Sequence, residues 1–254
     1  MRMVVCSGFS PQGYQQYGKE FLSSFDKFWP KEVELLVYCE EEVEIPRKGF
    51  MSLGSCRGVN DFIRRHSDNS EANGRQQTSR TVNWKPKDTA KGYSYKYDAV
   101  KFSRQCFIPE QAMLEAQLLD DDILIWLDAD VMTLKKIPEI FIQNLLGSND
   151  LCYLGRTNNH SEIGFWAVKI GRYTNKFLRT FANVYRSDDV FNFDEWHSAF
   201  IWDKCCEGLS PNLRIKNLTP NGTGHVWFQS PLAQFTDHLK GDARKAAGRS
   251  LERR

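Results

Sequence analysis

The chain has 254 residues, 41% hydrophobic and 13% aromatic, with 34 Lys and Arg against 32 Asp and Glu. That composition excludes a disordered chain and allows a substantial core. A net charge of only +2 gives no reason to invoke nucleic acid or an anionic membrane as an obligatory partner. By length the chain is one large α/β domain or two small ones. Residues 3–6 form a short apolar strand, and Ser7-Gly8-Phe9-Ser10-Pro11 its turn. Residues 14–28 read as a helix, because Tyr17, Phe21, Leu22, Phe25 and Phe28 recur at spacings of three and four, and Trp29-Pro30 stops it. Residues 33–38 give a second strand. Such a β-α-β opening favours a parallel sheet with ligand loops at the strands' carboxyl ends.

The stretch 41–95 is the least legible, and 67–91 is polar with few apolar anchors, so a long mobile loop is expected there. It is not a linker between domains, since the α/β pattern resumes after it. One helix is predicted over 97–107 and a second from Pro109 to 119. A strand over 123–127 follows, then a short helix over 138–146 and strands at 151–154 and 163–168. Helices over 172–185 and 195–206 and a late strand at 213–218 complete the pattern, without internal repeats. The last fifteen residues hold six basic side chains (Lys240, Arg244, Lys245, Arg249, Arg253, Arg254) against Asp242 and Glu252. A frayed basic tail is expected over 246–254. Seven cysteines, with no CxxC pair, sit mostly beside apolar runs. Met1-Arg2-Met3-Val4-Val5-Cys6 gives way at once to polar and Gly residues, and no apolar run approaches bilayer length. These features predict a soluble protein of a reducing compartment, the cytoplasm, with no signal peptide and no transmembrane segment.

The most telling stretch is Ile123-Leu124-Ile125-Trp126-Leu127-Asp128-Ala129-Asp130, a buried-strand pattern ending abruptly in Asp-x-Asp. Residues two apart on a strand share a face, which would put both carboxylates on one side. Paired carboxylates at a strand's exit are hard oxygen ligands, suited to Mn²⁺ or Mg²⁺ bound with substrate phosphates. An ion there can stabilise the charge growing on a departing diphosphate. Strand punctuation or helix capping is the competing explanation of so short a pattern.

Four motifs together resemble the GT-A class of nucleotide-sugar glycosyltransferases, whose element order covers most of the chain. Trp126-Leu127-Asp128-Ala129-Asp130-Val131 is close to the form used by galactosyltransferase- and glycogenin-like enzymes. Ser161 to Val168 is similar to the segment that presents small residues beside the donor sugar. Asp194-Glu195-Trp196-His197-Ser198-Ala199-Phe200 is placed like their acidic helix start. Asp237-His238-Leu239-Lys240-Gly241 is similar to a carboxy-terminal His-x-x-Gly segment whose His completes the metal site. Glycogenin-like enzymes continue that segment to Lys-Pro-Trp, whereas Arg244 stands here at the Lys position and Lys245-Ala246 replaces Pro-Trp.

The resemblance implies a single GT-A-like α/β domain, a Rossmann-type mixed sheet flanked by helices. It implies transfer of a hexosyl group from a nucleoside diphosphate donor, a UDP-sugar, to a glycan, protein, lipid-linked or nucleic-acid acceptor. Asp128, Asp130 and His238 would be the metal ligands for Mn²⁺ or Mg²⁺, with Asp128 shared with the ribose. Ser7, Gly8 and Phe9 would receive the base, and Lys101 and Arg104, three apart on one helix face, would meet the phosphates together with Lys240, Arg244 and Lys245. Asp194, Glu195 and Glu162 are the catalytic candidates. One would act as general base in an inverting enzyme or hold sugar hydroxyls in a retaining one. His160 and His197 are further titratable candidates without a distinctive spacing.

Three other readings use the same residues. A phosphatase of the haloacid dehalogenase type would employ the first Asp as nucleophile, but it normally has Thr or Val two residues after the second Asp, where Met132 stands, and carries the motif near the start of the chain. A nucleotidyltransferase would want a Gly-rich basic loop after the first strand. A non-catalytic carbohydrate-binding protein would use some of the seven Trp and nine Tyr as stacking surfaces.

Overall fold

The computed structural model describes residues 1–39, 51–81 and 84–250. β1 (Met3–Phe9) runs three residues beyond the expected strand, because Gly8 and Phe9 keep pairing with Tyr38 and Cys39 of β2 (Glu34–Cys39). Between them α1 (Pro11–Gly13), a π-helical turn (Tyr14–Gly18) and α2 (Lys19–Phe28) make one continuous helical run. Ser10 caps it, its Oγ accepting from Gly13 N at 3.1 Å. β3 (Met51–Gly54), α3 (Arg57–His66) and α4 (Pro86–Lys91) follow. The polar segment 67–91 thus ends in a helix, and Ala72 and Thr81 within it are fully buried; residues 40–50 and 82–83 lie outside the described residues.

α5 (Ala99–Glu115) corrects the expected break at Pro109: it is one helix that carries the proline inside it. Pro109 cannot donate to the preceding turn, but it is buried together with Cys106, Phe107, Ile108, Ala112 and Met113. Burying that face outweighs one missing hydrogen bond. Asp98 caps the helix, accepting from Lys101 N at 3.0 Å. β4 (Ile123–Leu127) and β5 (Val131–Thr133) flank the Asp-x-Asp segment, which therefore sits in the turn after the strand, not on it. Then come α6 (Phe141–Leu146), β6 (Leu151–Leu154), β7 (Glu162–Lys169), α7 (Arg172–Arg186), α8 (Ser198–Leu209), β8 (Ile215–Asn217), β9 (Thr236–His238) and α9 (Asp242–Ala247). α8 begins three residues later than expected, so Asp194 and Glu195 precede it and do not occupy its first turn.

Among the described residues, seven strands form a mixed sheet in the order β3-β2-β1-β4-β7-β6-β8, and β5 pairs with β9 in a second, two-stranded sheet. β1, β2, β3 and β4 run parallel, whereas β7 is antiparallel to both β4 and β6. Strand β4 is buried on both faces. Leu124 and Trp126 join the core under α3, α5, α7 and α8, while Ile123, Ile125 and Leu127 join the core under α2 and α6. Alternation on one strand thus seeds two cores and makes a three-layer α/β fold. Strand order reverses between β1 and β4, which opens a crevice beyond their carboxyl ends.

The described part of the expected frayed tail is docked. α9 runs to Ala247, and buried Ser250 donates from N to Asp237 Oδ2 and from Oγ to His238 O, both at 3.0 Å. Residues 251–254 lie outside the described residues. No helix among the described residues is long and apolar enough to cross a membrane.

Candidate active site at the sheet's switch point

The crevice is a cleft of about 580 Å³, lined from β1 by Gly8 and Phe9, from the β4–β5 turn by Asp128 and Asp130, from β7 by Glu162 and Gly164, and from the carboxy-terminal segment by His238, Lys240 and Lys245. The two-stranded sheet brings the distant parts together. β9 pairs His238 with Val131, and Leu239 N donates to Asp130 O at 2.9 Å. His238 Nε2 consequently lies 3.1 Å from Asp130 Oδ1 and 3.8 Å from Asp128 Oδ2. Gly164 makes room for this: a Cβ there would fall 2.8 Å from His238 Cε1 and 3.1 Å from Asp128 Oδ2. Asp128 is aimed by two donors on its other oxygen, Gln105 Nε2 and Trp126 Nε1, each at 2.7 Å.

The electrostatics follow from packing two partly buried acids against a buried imidazole. Burial and the Asp130 charge together push Asp128 up. Burial would raise Asp130 too, but His238 and Lys245, whose Nζ is 2.9 Å from Oδ2, hold it low. His238 is pushed down by burial, yet Asp130, Glu162 and Asp128 outweigh that and raise it. The two carboxylates and the imidazole converge on one small volume, and they are groups that Mn²⁺ accepts together, so this donor set fits a hard dication.

The structure places the predicted residues unevenly. Asp128, Asp130, His238, Gly8, Phe9, Lys101, Arg104, Lys240, Lys245 and Glu162 all line the cleft. Ser7 does not; it is buried, and its Oγ donates to Leu127 O at 2.6 Å, pinning β1 to β4. A Cβ at Gly8 would meet Ile108 Cδ1 at 2.4 Å, so the core packed behind the cleft wall also favours glycine there. Phe9 is 1% exposed and packs on Tyr14 at 5.4 Å, which leaves half-buried Tyr17 as the ring facing the cleft at that wall. Arg244 does not line the cleft; its Nη1 donates to Lys240 O at 3.1 Å.

Of the three catalytic candidates, only Glu162 reaches the cleft. Asp194 is exposed on the outer surface, and Glu195 sits behind His160 and His197, tied to both and to Lys96. Burial pushes Glu195 up, but those three donors hold it well below the carboxylate range. Glu162 is likewise pushed up by burial and brought down to about 2 by Lys240, His238 and Arg156. Sequence reasoning missed Gln105, which also accepts from Ser198 Oγ and so links α8 to Asp128. Its signal was its place four residues after Lys101 on the same helix face. It also missed the cleft-facing place of Tyr17, whose helical spacing reads as a core position, and Arg156, which carries no spacing signal.

No family model matches the sequence, and no curated protein matches it. Among solved structures the chain is similar to mouse xyloside xylosyltransferase 1 in its apo form, at 11% identity over 92% of each chain with a TM-score of 0.47. It is also similar to the apo structure of the bifunctional glycosyltransferase WbbM, at 12% identity and a TM-score of 0.52, over 95% of this chain and 46% of that one. The chain therefore spans less than half of the WbbM chain's length. The likeness to WbbM, at so low an identity, shows the fold alone: a GT-A-like mixed α/β sheet flanked by helices.

Proposed function

We propose that this chain is a metal-dependent glycosyltransferase that moves a sugar from a nucleoside diphosphate donor, a UDP-sugar, to an acceptor hydroxyl. The observation that carries the reading is the convergence of Asp128, Asp130 and His238 at the switch point of a GT-A-like sheet, inside a cleft lined by Lys101, Arg104, Lys240 and Lys245. Asp128, Asp130 and His238 would hold Mn²⁺ or Mg²⁺, which supplies charge stabilisation to the departing diphosphate. The four cations would grip the diphosphate, and Tyr17 would offer its ring to the base. Lys245 now neutralises Asp130 and packs its Nζ 4.5 Å from the centre of the Tyr17 ring. It is thus positioned to pass between the carboxylate and a phosphate.

Glu162 is the residue we assign to the donor sugar. With its pKa held down to about 2 it is a poor general base, but an ionised carboxylate buried at the cleft wall is a strong acceptor for sugar hydroxyls.

Calorimetric titration with UDP and with GDP, with and without Mn²⁺, tests this on the native chain and on Asp130→Ala. Mn²⁺-dependent UDP binding that weakens at least tenfold in the variant is the expected result. Absence of binding by either nucleotide would overturn the reading and favour the phosphatase or sugar-binding alternatives.

A further inference from the structure

A second cluster of ligand-type side chains borders the same cleft and shares no residue with Asp128, Asp130 and His238. Glu195 Oε2 lies 2.9 Å from His197 Nε2 and 3.3 Å from His160 Nε2. The ligand atoms of the three all fall within 4.8 Å of one another. Tetrahedral zinc, with bonds of about 2.0–2.2 Å, sets its ligand atoms roughly 3.3–3.5 Å apart. The His160–Glu195 spacing falls in that range and the His197–Glu195 spacing just below it.

The surroundings are those of a ligand set rather than of three loose side chains. His160 Nδ1 lies 3.3 Å from Asp203 Oδ2, the carboxylate–imidazole arrangement that orients a metal-bound histidine. Asp203 is itself held by Ser161 Oγ. Lys96 takes the other oxygen of Glu195, which fixes Oε2 toward the two imidazoles. Asp203 and Glu195 raise His160 to about 9, so an ion would displace its proton; with both imidazoles then neutral, Glu195 and Asp203 against Lys96 would leave one negative charge at the cluster. Arg156 does not cancel it, because its guanidinium is engaged by Glu162 and by the carbonyls of His160 and Ser161. His160 and His197 both line the cleft, so a bound ion would present an open coordination position to whatever enters it.

We propose that His160, His197 and Glu195 form a second dication site, of the zinc class, open to the cleft. Two imidazoles and one carboxylate suit a borderline ion, whereas the oxygen-rich Asp128–Asp130 pair suits a hard one, so the two sites select different metals. The open position would take an oxygen of the molecule that enters beside the donor. The assignment rests on this cluster alone and stands whether or not the chain transfers sugars.

Co²⁺ is the probe, because four-coordinate Co²⁺ bound by imidazole and carboxylate has an intense visible absorption that octahedral Co²⁺ lacks. The titration is run on the native chain in excess Mg²⁺ and on Asp130→Ala, so that the first site is either filled or removed. The expected result is a saturable four-coordinate band in both, abolished by equimolar Zn²⁺. The band should vanish in His160→Ala, a change at a partly exposed position whose fold circular dichroism verifies. It should shift to about 10–100-fold higher Co²⁺ concentration in Asp203→Asn. Absence of the band from native chain and Asp130→Ala alike, or its persistence in His160→Ala, would overturn the proposal. Neither result would alter the nucleotide titration, so the two readings fail separately.

Discussion

At the scale of single residues, the site depends on a side chain that is missing. Gly164 faces His238 Cε1, Asp128 Oδ2 and Glu162 Oε1, all closer to its added Cβ than ordinary contact allows. A methyl group there has no freely moving neighbour to displace, because the ring and the Glu162 carboxylate are buried and Asp128, though partly exposed, is held by Gln105 and Trp126. Gly164→Ala should therefore lower Mn²⁺ affinity about 10–100-fold by moving one ligand off its aim, as outer-shell changes do. The overpacking should cost about 1–3 kcal/mol of stability. Metal titration alongside thermal unfolding checks both; unchanged Mn²⁺ affinity would mean that His238 is not a ligand. Glycine at this position was visible in the sequence, but its reason was not, since the atoms it makes way for come from Asp128, Glu162 and His238.

At the scale of elements, short ties decide where the ligands stand. The entry to β4 is pinned by Asp122, whose carboxylate accepts from Arg2 N at 2.6 Å and Leu119 N at 3.1 Å. This registers the start of β1 against β4, and their carboxyl ends then bring Gly8 and Asp128 to one crevice. Burial pushes Asp122 up, but the two backbone donors and the nearby positive charges win and leave it depressed. A depressed carboxyl stabilises the fold fully above its unfolded value of about 3.9, and the contribution is lost as pH falls through the folded value. Asp122→Asn should thus cost about 1 kcal/mol at pH 7, and native and variant should converge as the pH drops below about 4. Urea unfolding across that range measures it; a difference independent of pH would assign the effect to packing alone.

At the scale of the molecule, all seven cysteines are free, six of them buried. Burial raises Cys56 to about 11 and Cys152 and Cys205 to about 12, and lifts Cys6, Cys106 and Cys206 as well. A thiol reagent at pH 8 should find almost no thiolate at these six positions in the native chain and react with all seven cysteines in denaturant. Rapid native reaction would reveal opening of a core. The three-layer fold was largely legible beforehand, because strands and helices announce themselves by period and β4 is an unbroken apolar run. The break at Pro109 was misread because a local rule against proline yields to a face buried by Phe107, Ile108 and Met113. The β5–β9 sheet was invisible: three residues per strand carry no period, and its pairing spans more than a hundred residues. The His160–Glu195–His197 cluster was hidden because His160 comes from the β6–β7 loop and Glu195 and His197 from the segment before α8.

Strand β4 sends alternate side chains into two different cores and ends at Asp128. In that segment length itself is information. Substitutions of similar volume can be absorbed face by face, but inserting or deleting one residue would exchange the faces. Trp126 would enter the opposite core, and Asp128 would lose both Gln105 and the indole that aim it. Divergence of this chain is therefore open to β4 by replacement and closed to it by insertion, while surface turns remain free to lengthen.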